Sequence, residues 1–467
     1  MRNPLSKPNI VLVNCDDLGY GDLECYGSSV NSTPHVNELA TGGIRFTDFY
    51  MASPVCSPSR AAMLTGCYPQ RIGMANVLRP GSGVGLSSRE ETLSSTLSKN
   101  GYATQIVGKW HLGDQPEFLP TKHGFDHYFG VPYSNDMGRQ LHNELSDDGR
   151  KAFPPLPLLR DSDVIQEQPS QEGLTERYTE EAVRFIRENQ DHPFFLYFAH
   201  MHVHRPILVS RRFISTSRNG RYGAAVEAID WSLGVIMHEL TKLGLNENTL
   251  VIFTSDNGSR ADLGGSNGAL RGTKQTAWEG GMRLPLIVRW DGQIQSGQTS
   301  SELISSLDFL PTIASITDCN LESGNQIDGQ DLSSVLLEPG ASSSRDTFFY
   351  YFNDILCAVR YKRWKLHLVA TERELPSRII TTTDVVELYD LESDLGEQNN
   401  VAESHQNVVE QLTALMEQCR NDLGDQHTAI RGLNRREGGH VDSPTTLTHY
   451  DPENPVIWAE YDTDEFG

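Results

Sequence analysis

Cys56 opens the run CSPSRAAMLTG, with Pro58 two residues on and Arg60 four residues on. Ser57, Pro58 and Ser59 are helix-start residues, Ala61 to Leu64 carry a helix, and Gly66 ends it. The spacing predicts Cys56 at a helix N-terminus, where backbone N–H groups and the helix dipole favour negative charge. Arg60 projects near the same point. Such a place suits a nucleophile that must meet an anion, and helix-start thiols are often activated.

Two acidic sites and a basic set complete the chemistry. Asp16 and Asp17 follow the apolar run NIVLVN, and Asp256 and Asn257 follow TLVIFTS. Ligands gather at the carboxyl ends of strands in open parallel sheets. Two carboxylates from one strand, with a carboxylate and an amide from another, make an all-oxygen site of the kind Ca²⁺ or Mg²⁺ takes. GKWHLG supplies Lys109 and His111, HMHVHRP supplies His200, His202 and His204, and LRGTKQTAWEGG supplies Lys274. Hydrolysis of an anionic ester needs its oxygens bound, a leaving alkoxide protonated and a proton removed later. Histidine and lysine beside a dication can do all three.

The elements that position these residues alternate. Strands are expected at 9–14, around YATQIVG, at 194–200 and at TLVIFTS. Helices are expected at 34–40, around Leu93 and Leu97, at 174–189 and at 221–244. The last helix carries Tyr222, Val226, Ile229, Leu233, Ile236, Leu240 and Leu243 at steps of four and three. Short buried strands between amphipathic helices predict an α/β fold: a large, mainly parallel or mixed sheet sandwiched by helices. At EPGASSSRD (338–346) the composition shifts to a linker. Beyond it FFYYF, LCAVRY, WKLHLV and VVELYDL, then a helix bearing Val408, Leu412, Leu415 and Cys419, predict a smaller antiparallel sheet plus helix. The expected organisation is a catalytic domain over 1–340, a C-terminal subdomain over 341–430 and a surface-wrapping tail over 431–467.

Sixty-two acidic against 39 basic residues give a net charge of −23. That sign argues against nucleic acid and anionic membrane as partners, and any anion site must be locally basic. No apolar stretch reaches membrane-spanning length. As written, the chain is expected in the cytoplasm, or in the periplasm or outside the cell if its start lies upstream. Seven cysteines without a C-x-x-C pair are neither a disulfide framework nor a structural zinc site.

The motifs NIVLVNCDDLGYGD, CSPSRAAMLTG, GKWHLG, FFLYFAHMHVHRP, LVIFTSDNG, LRGTKQTAWEGGMRLP and ELYDLESDLGEQNNVA stand in the order seen in the type I sulfatases. The chain resembles the branch of arylsulfatase A and the N-acetylgalactosamine-6-sulfatases, within the alkaline phosphatase superfamily. The resemblance implies that a maturation enzyme oxidises Cys56 to formylglycine, whose hydrate attacks a sulfate ester through a covalent sulfo-enzyme. It implies Ca²⁺, with Mg²⁺ possible, held by Asp16, Asp17, Asp256, Asn257 and residue 56. Arg60 would stabilise the formylglycine, Lys109 and Lys274 would hold sulfate oxygens, and His111 would handle the hydrate proton. His204 and Ser134 would contact the sulfate or leaving group. His200 and His202, which the resemblance does not assign, are expected to shape the pocket. The implied substrate is a sulfated carbohydrate or an aryl sulfate, chosen by the loops 112–172 and 205–220. A phosphate or phosphonate ester hydrolase of the same superfamily, and an unmatured protein that only binds anions, stay open at this point.

Overall fold

The computed structural model describes residues 7–139, 153–376, 379–451 and 453. They form an eleven-stranded sheet, a four-stranded sheet and a two-stranded ribbon. Across the large sheet the strands run Gln298–Ser300, Ile44–Tyr50, Arg283–Arg289, Thr249–Ser255, Asn9–Cys15, Phe194–Ala199, Ala103–Gly108, His127–Gly130, Pro157–Arg160 and Asp163–Glu167, and the short Ile304–Ser305 pairs with Ile44–Tyr50. The five central strands from Thr249–Ser255 to His127–Gly130 are mutually parallel. Arg283–Arg289 and the far edge run antiparallel. The sheet is therefore mixed, as expected, around a parallel centre.

The central strands are apolar on both faces because both faces are covered. Ile10 and Leu12 enter one core with Phe46, Ile106, Phe195 and Tyr197. Val11 and Val13 enter the other with Leu196, Phe198 and Phe253. The second core is closed by helices Pro34–Thr41, Leu174–Glu188 and Gly220–Lys242, all near their expected bounds. Among the described residues no helix is long and apolar enough to cross a membrane.

Several strands lie outside the expected set, among them the edge strands His127–Gly130, Pro157–Arg160 and Asp163–Glu167 and two nearer the centre. Ile44–Tyr50 and Arg283–Arg289 pair antiparallel with each other, the second carrying Pro285 at a register shift. The expected linker is a loop that is tied down: the buried Arg345 holds Asp308 at 2.9 Å, and Ser343 donates its backbone N–H to Glu302 at 2.6 Å.

Beyond it, Thr347–Phe352, Ile355–Tyr361, Trp364–Arg373 and Ile380–Asp390 form the antiparallel sheet, backed by the helix Gln406–Leu423. This sheet packs on the large one through a shared core that includes Tyr50, Ala62, Met282, Phe348, Tyr350 and Leu366. Charge is buried in the same seam. Glu279 accepts from Lys365 at 2.9 Å, Tyr50 at 2.6 Å and Tyr350 at 2.8 Å, and ion-pairs with Arg283 at 3.3 Å. Lys365 also meets Glu397 at 2.8 Å, and Glu397 accepts from the backbone N–H of Glu279 at 2.8 Å. Burial would raise the Glu279 carboxyl. Lys365, Arg283 and Arg360 override it and hold the group well below the usual range.

The described part of the tail crosses the large sheet's flank. Arg436 grips Glu90, Gly439–His440 pairs with Val84–Gly85, and Thr448 donates to the Pro155 carbonyl. From residue 454 onward the expected tail lies outside the described residues.

Lys365 is shared by two buried carboxylates, Glu279 and Glu397, so Lys365→Met removes a cation from both at once. The variant is expected to lose about 3–5 kcal/mol of stability, read by chemical denaturation. A loss near zero would mean that the seam does not depend on this charge.

Candidate active site

Parallel pairing brings the motifs together. Strands Thr249–Ser255, Asn9–Cys15, Phe194–Ala199 and Ala103–Gly108 are consecutive neighbours, so their carboxyl ends share one edge. Cys15 lies opposite Ser255 in register, which sets Asp16 and Asp17 beside Asp256 and Asn257. The backbone turns sharply there. Asp17 (φ 63°), His111 (φ 65°) and Gln275 (φ 72°) all occupy the left-handed region, which is costly for residues other than glycine and clusters at functional sites. Gly108 (φ 112°) precedes Lys109, and an added Cβ there would lie 1.9 Å from the Ala199 carbonyl oxygen, so only glycine lets the chain cross.

Three carboxylates are buried at this edge, each matched by a cation. Lys109 Nζ lies 2.5 Å from Asp16 Oδ2, and Lys274 Nζ lies 2.5 Å from Asp17 Oδ1. Arg60 Nε donates to Asp256 Oδ2 at 2.8 Å, and Arg60 Nη2 stands 3.7 Å from Asp16. Arg60 Nη1 also donates to the Lys109 carbonyl at 2.8 Å, tying two motifs. Burial would raise Asp16, but Lys109, His204 and Arg60 hold it well below the usual carboxylate range. Asp256 goes the other way: burial and the Asp16 charge push it up to about 6. Both lysines stay above their ordinary value, the pull of Asp16 on Lys109 and of Asp17 on Lys274 outweighing burial.

The donor set fits a hard cation. Asp16 Oδ1 and Asn257 Oδ1 are buried oxygens with no hydrogen-bond partner, although their neighbouring atoms are satisfied. Buried acceptors left in this state are costly unless something else fills them. Asp16, Asp17 and His204 offer atoms within 4.8 Å of one another; Asp256 adjoins through the backbone N–H of Asp17 at 3.2 Å. His204, expected on the substrate, thus also stands beside the carboxylates.

Cys56 is the first residue of the helix Cys56–Thr65 and lines a cleft of about 370 Å³. Gly66 closes the helix in the left-handed region, as expected. The serines do not cap it. Ser59 Oγ donates to the Asp256 carbonyl at 2.5 Å, and Ser57 Oγ accepts from the backbone N–H of Leu78 at 3.2 Å. They cross-link the helix to neighbouring loops instead. Nor is the thiol activated. Burial pushes it up, and Lys109 and Lys274 offset only part of that.

His111 donates from Nε2 to the Leu78 carbonyl at 3.1 Å, which assigns the neutral tautomer and leaves Nδ1 a buried acceptor without partner. Burial and Lys109 keep this ring well below its ordinary value. His204 Nδ1 donates to the Arg205 carbonyl at 2.7 Å, and its Nε2 lies 3.9 Å from Asp17. Burial and Lys274 lower it too. Ser134 Oγ accepts from Lys109 at 3.3 Å and lines the cleft with Cys56, His111, His204 and Lys274.

The expectation for two histidines is corrected. His200 and His202 do not shape the cleft wall. His200 is buried against Ser232 of the helix Gly220–Lys242 at 2.9 Å, and His202 is buried beneath the site. Their spacing of two puts them on one side, but the chain turns before His204 reaches the cleft. Conversely, Arg79, Arg205, Arg260 and Arg373 line it and were missed. Arg205 lies within the run HMHVHRP, and Arg260 stands two residues beyond LVIFTSDNG. Arg373 reaches the cleft from the small sheet, which only tertiary packing could reveal.

A family model described as Sulfatase matches residues 8–319, and one described as N-sulphoglucosamine sulphohydrolase, C-terminal, matches 273–422. The chain is 41% identical over 423 residues to arylsulfatase A of Homo sapiens, covering 84% of this chain and 83% of that protein. It is 42% identical over 384 residues to the N-acetylgalactosamine-6-sulfatase of Mus musculus, covering 77% and 72%. The solved structure of PsFucS1 sulfatase from Pseudoalteromonas sp. superposes with a TM-score of 0.82 at 28% identity, over 89% of this chain and 90% of that one. With its strand-end carboxylates, its helix-start cysteine and this likeness along most of its length, the chain belongs to the sulfatase family, enzymes that hydrolyse sulfate esters.

Proposed function

We propose that this sulfatase removes sulfate from a carbohydrate, using an oxidised Cys56 as nucleophile beside a bound divalent cation. The observation that carries the reading is the convergence of Cys56, Asp17 and Lys274 on one cleft, with Asp16, Asp256 and Lys109 buried in contact with that set. A sugar substrate is favoured over an aryl sulfate by the likeness to an N-acetylgalactosamine-6-sulfatase and by a lining that is more polar than aromatic.

Asp16, Asp17, Asp256 and Asn257, with residue 56, would hold the cation, Ca²⁺ by family precedent. A cation held there would supply Lewis acidity to a hydroxyl of the hydrated formylglycine, and the hydrate's second hydroxyl would provide the route by which sulfate is released. A thiol pushed up by burial is a poor nucleophile in this place, which supports the need for oxidation by a maturation enzyme.

The remaining residues bind and move protons. Lys109 and Lys274 carry full charge and meet the sulfate oxygens. Arg60 fixes Asp256 and the Lys109 carbonyl, so it keeps both in register. His111 presents an unprotonated Nδ1 inside the cleft wall, suited to take a proton from the hydrate. The charged Lys274 delivers a proton to the leaving oxygen, His204 contacts that oxygen, and Ser134 steadies Lys109. In this reading residues 1–340 do the chemistry, 341–430 brace the Lys274 loop and the described part of 431–467 straps the flank.

Cys56→Ala is expected to abolish turnover of a sulfate ester while the protein still folds and still binds Ca²⁺ by calorimetry; retained turnover would overturn the nucleophile assignment. Lys109→Ala and Lys274→Ala should each lower kcat/KM by about 100- to 1000-fold in matured enzyme. A decrease of less than about ten-fold would remove that lysine from sulfate binding.

A further inference from the structure

The loop 77–86 forms one wall of the cleft, and the described tail runs along it. Val77 and Arg79 line the cavity, with Leu78 between them. The backbone of Leu78 is held on both sides by the site. Its N–H donates to Ser57 Oγ at 3.2 Å, next to Cys56, and its carbonyl accepts from His111 Nε2 at 3.1 Å. That second bond keeps the proton on Nε2 and leaves Nδ1 an open acceptor. Yet residues 77–83 belong to no helix or strand, and the chain turns through the left-handed region at Gly81 (φ 66°) and Gly83 (φ 68°). Ties from elsewhere must fix the loop.

Asp114 and Gln115 supply them. Both are buried, and both directly follow the GKWHLG run that carries Lys109 and His111. Asp114 Oδ2 accepts the Gly81 N–H at 2.7 Å, and its Oδ1 accepts from Gln115 Nε2 at 2.8 Å. Gln115 also grips the tail: Nε2 donates to the Thr445 carbonyl at 2.8 Å, and Oε1 accepts the Thr445 N–H at 2.9 Å. The tail in turn holds the loop. Val441 donates its N–H to the Gly83 carbonyl at 2.8 Å, and Gly439–His440 pairs with Val84–Gly85. Phe118 fills the space between: a Cβ on Gly85, Gly113 or Gly439 would lie within 2.6 Å of its side chain, so the tail seats there only on glycine. A buried amide whose donors and acceptor are all committed holds its partners in one geometry, because each broken bond leaves a buried polar group unpaired.

We propose that Gln115 is a positioning residue for His111: through Asp114 and the tail segment 439–445 it fixes the loop 77–86, and with it the Leu78 carbonyl that sets the tautomer of the ring. The tail thereby belongs to the working site, although none of its described residues lines the cleft. The proton-accepting role of His111 rests on the functional reading above; the fixed tautomer does not.

The test reads the ring directly. Imidazole nitrogen chemical shifts are recorded by NMR on full-length protein with isotope-labelled histidine, as wild type, Gln115→Ala and Gly439→Val. The His111 signals are those that His111→Gln lacks. Wild type is expected to show a protonated Nε2 and an unprotonated Nδ1. In Gln115→Ala and Gly439→Val the two shifts are expected to move toward each other as the ring samples both tautomers. Matured enzyme with either substitution should lose about ten-fold in kcat for 4-nitrophenyl sulfate. Should Gln115→Ala not fold, Gly439→Val decides alone, since its added side chain meets Phe118 first. Unchanged His111 shifts would overturn the proposal whatever happens to activity, because a tail that only adds stability leaves the tautomer fixed; so would a wild type protonated at Nδ1. If matured wild type hydrolyses no sulfate ester, the functional reading fails, while the shifts still decide what Gln115 holds in place.

Discussion

Three carboxylates are buried side by side where parallel strands end, and the rest of the site answers their charge. Water is excluded there, so Asp16, Asp17 and Asp256 must each find a cation or give up ionisation. Lys109, Lys274 and Arg60 supply that charge from three different stretches of chain. The match is incomplete. Asp16 Oδ1 and Asn257 Oδ1 have no donor, and Asp256 is pushed up rather than down. A divalent cation on these oxygens would fill the unpartnered acceptors and release the two ammoniums for the sulfate.

That arrangement needs support from outside the large sheet. Lys274 sits on a loop whose following residues are clamped by the small sheet: the backbone N–H of Ala277 donates to Thr371 at 2.7 Å, and Lys365 donates to the Ala277 carbonyl at 3.1 Å. Glu279, two residues on, is the hub of the buried charge in the seam. The small sheet therefore holds the lysine in place and also delivers Arg373 to the cleft mouth. Positioning by buried ion pairs is rigid because displacing any partner leaves a charge unmatched.

Much of this was legible in the residues. Asp16–Asp17, Lys109, His204 and Asp256–Asn257 each follow an apolar strand, and parallel neighbours bring such ends to one edge. The strands Ile44–Tyr50 and Arg283–Arg289 were not legible, because the first alternates only partly and the second contains Pro285. Ser57 and Ser59 have the chemistry of caps, yet tertiary partners claim both hydroxyls. His200 and His202 look like site residues by spacing, but a turn of the backbone sends them into the core. The cleft arginines carry no local pattern at all. Their common location is a property of packing.

The most direct measurement of the central claim is anomalous diffraction from crystals of the matured protein soaked in Ca²⁺. The account predicts one ion among Asp16, Asp17, Asp256 and Asn257, with Lys109 Nζ and Lys274 Nζ withdrawn from the carboxylates toward the cleft. An ion bound elsewhere, or lysines that keep their present partners with the ion in place, would contradict it.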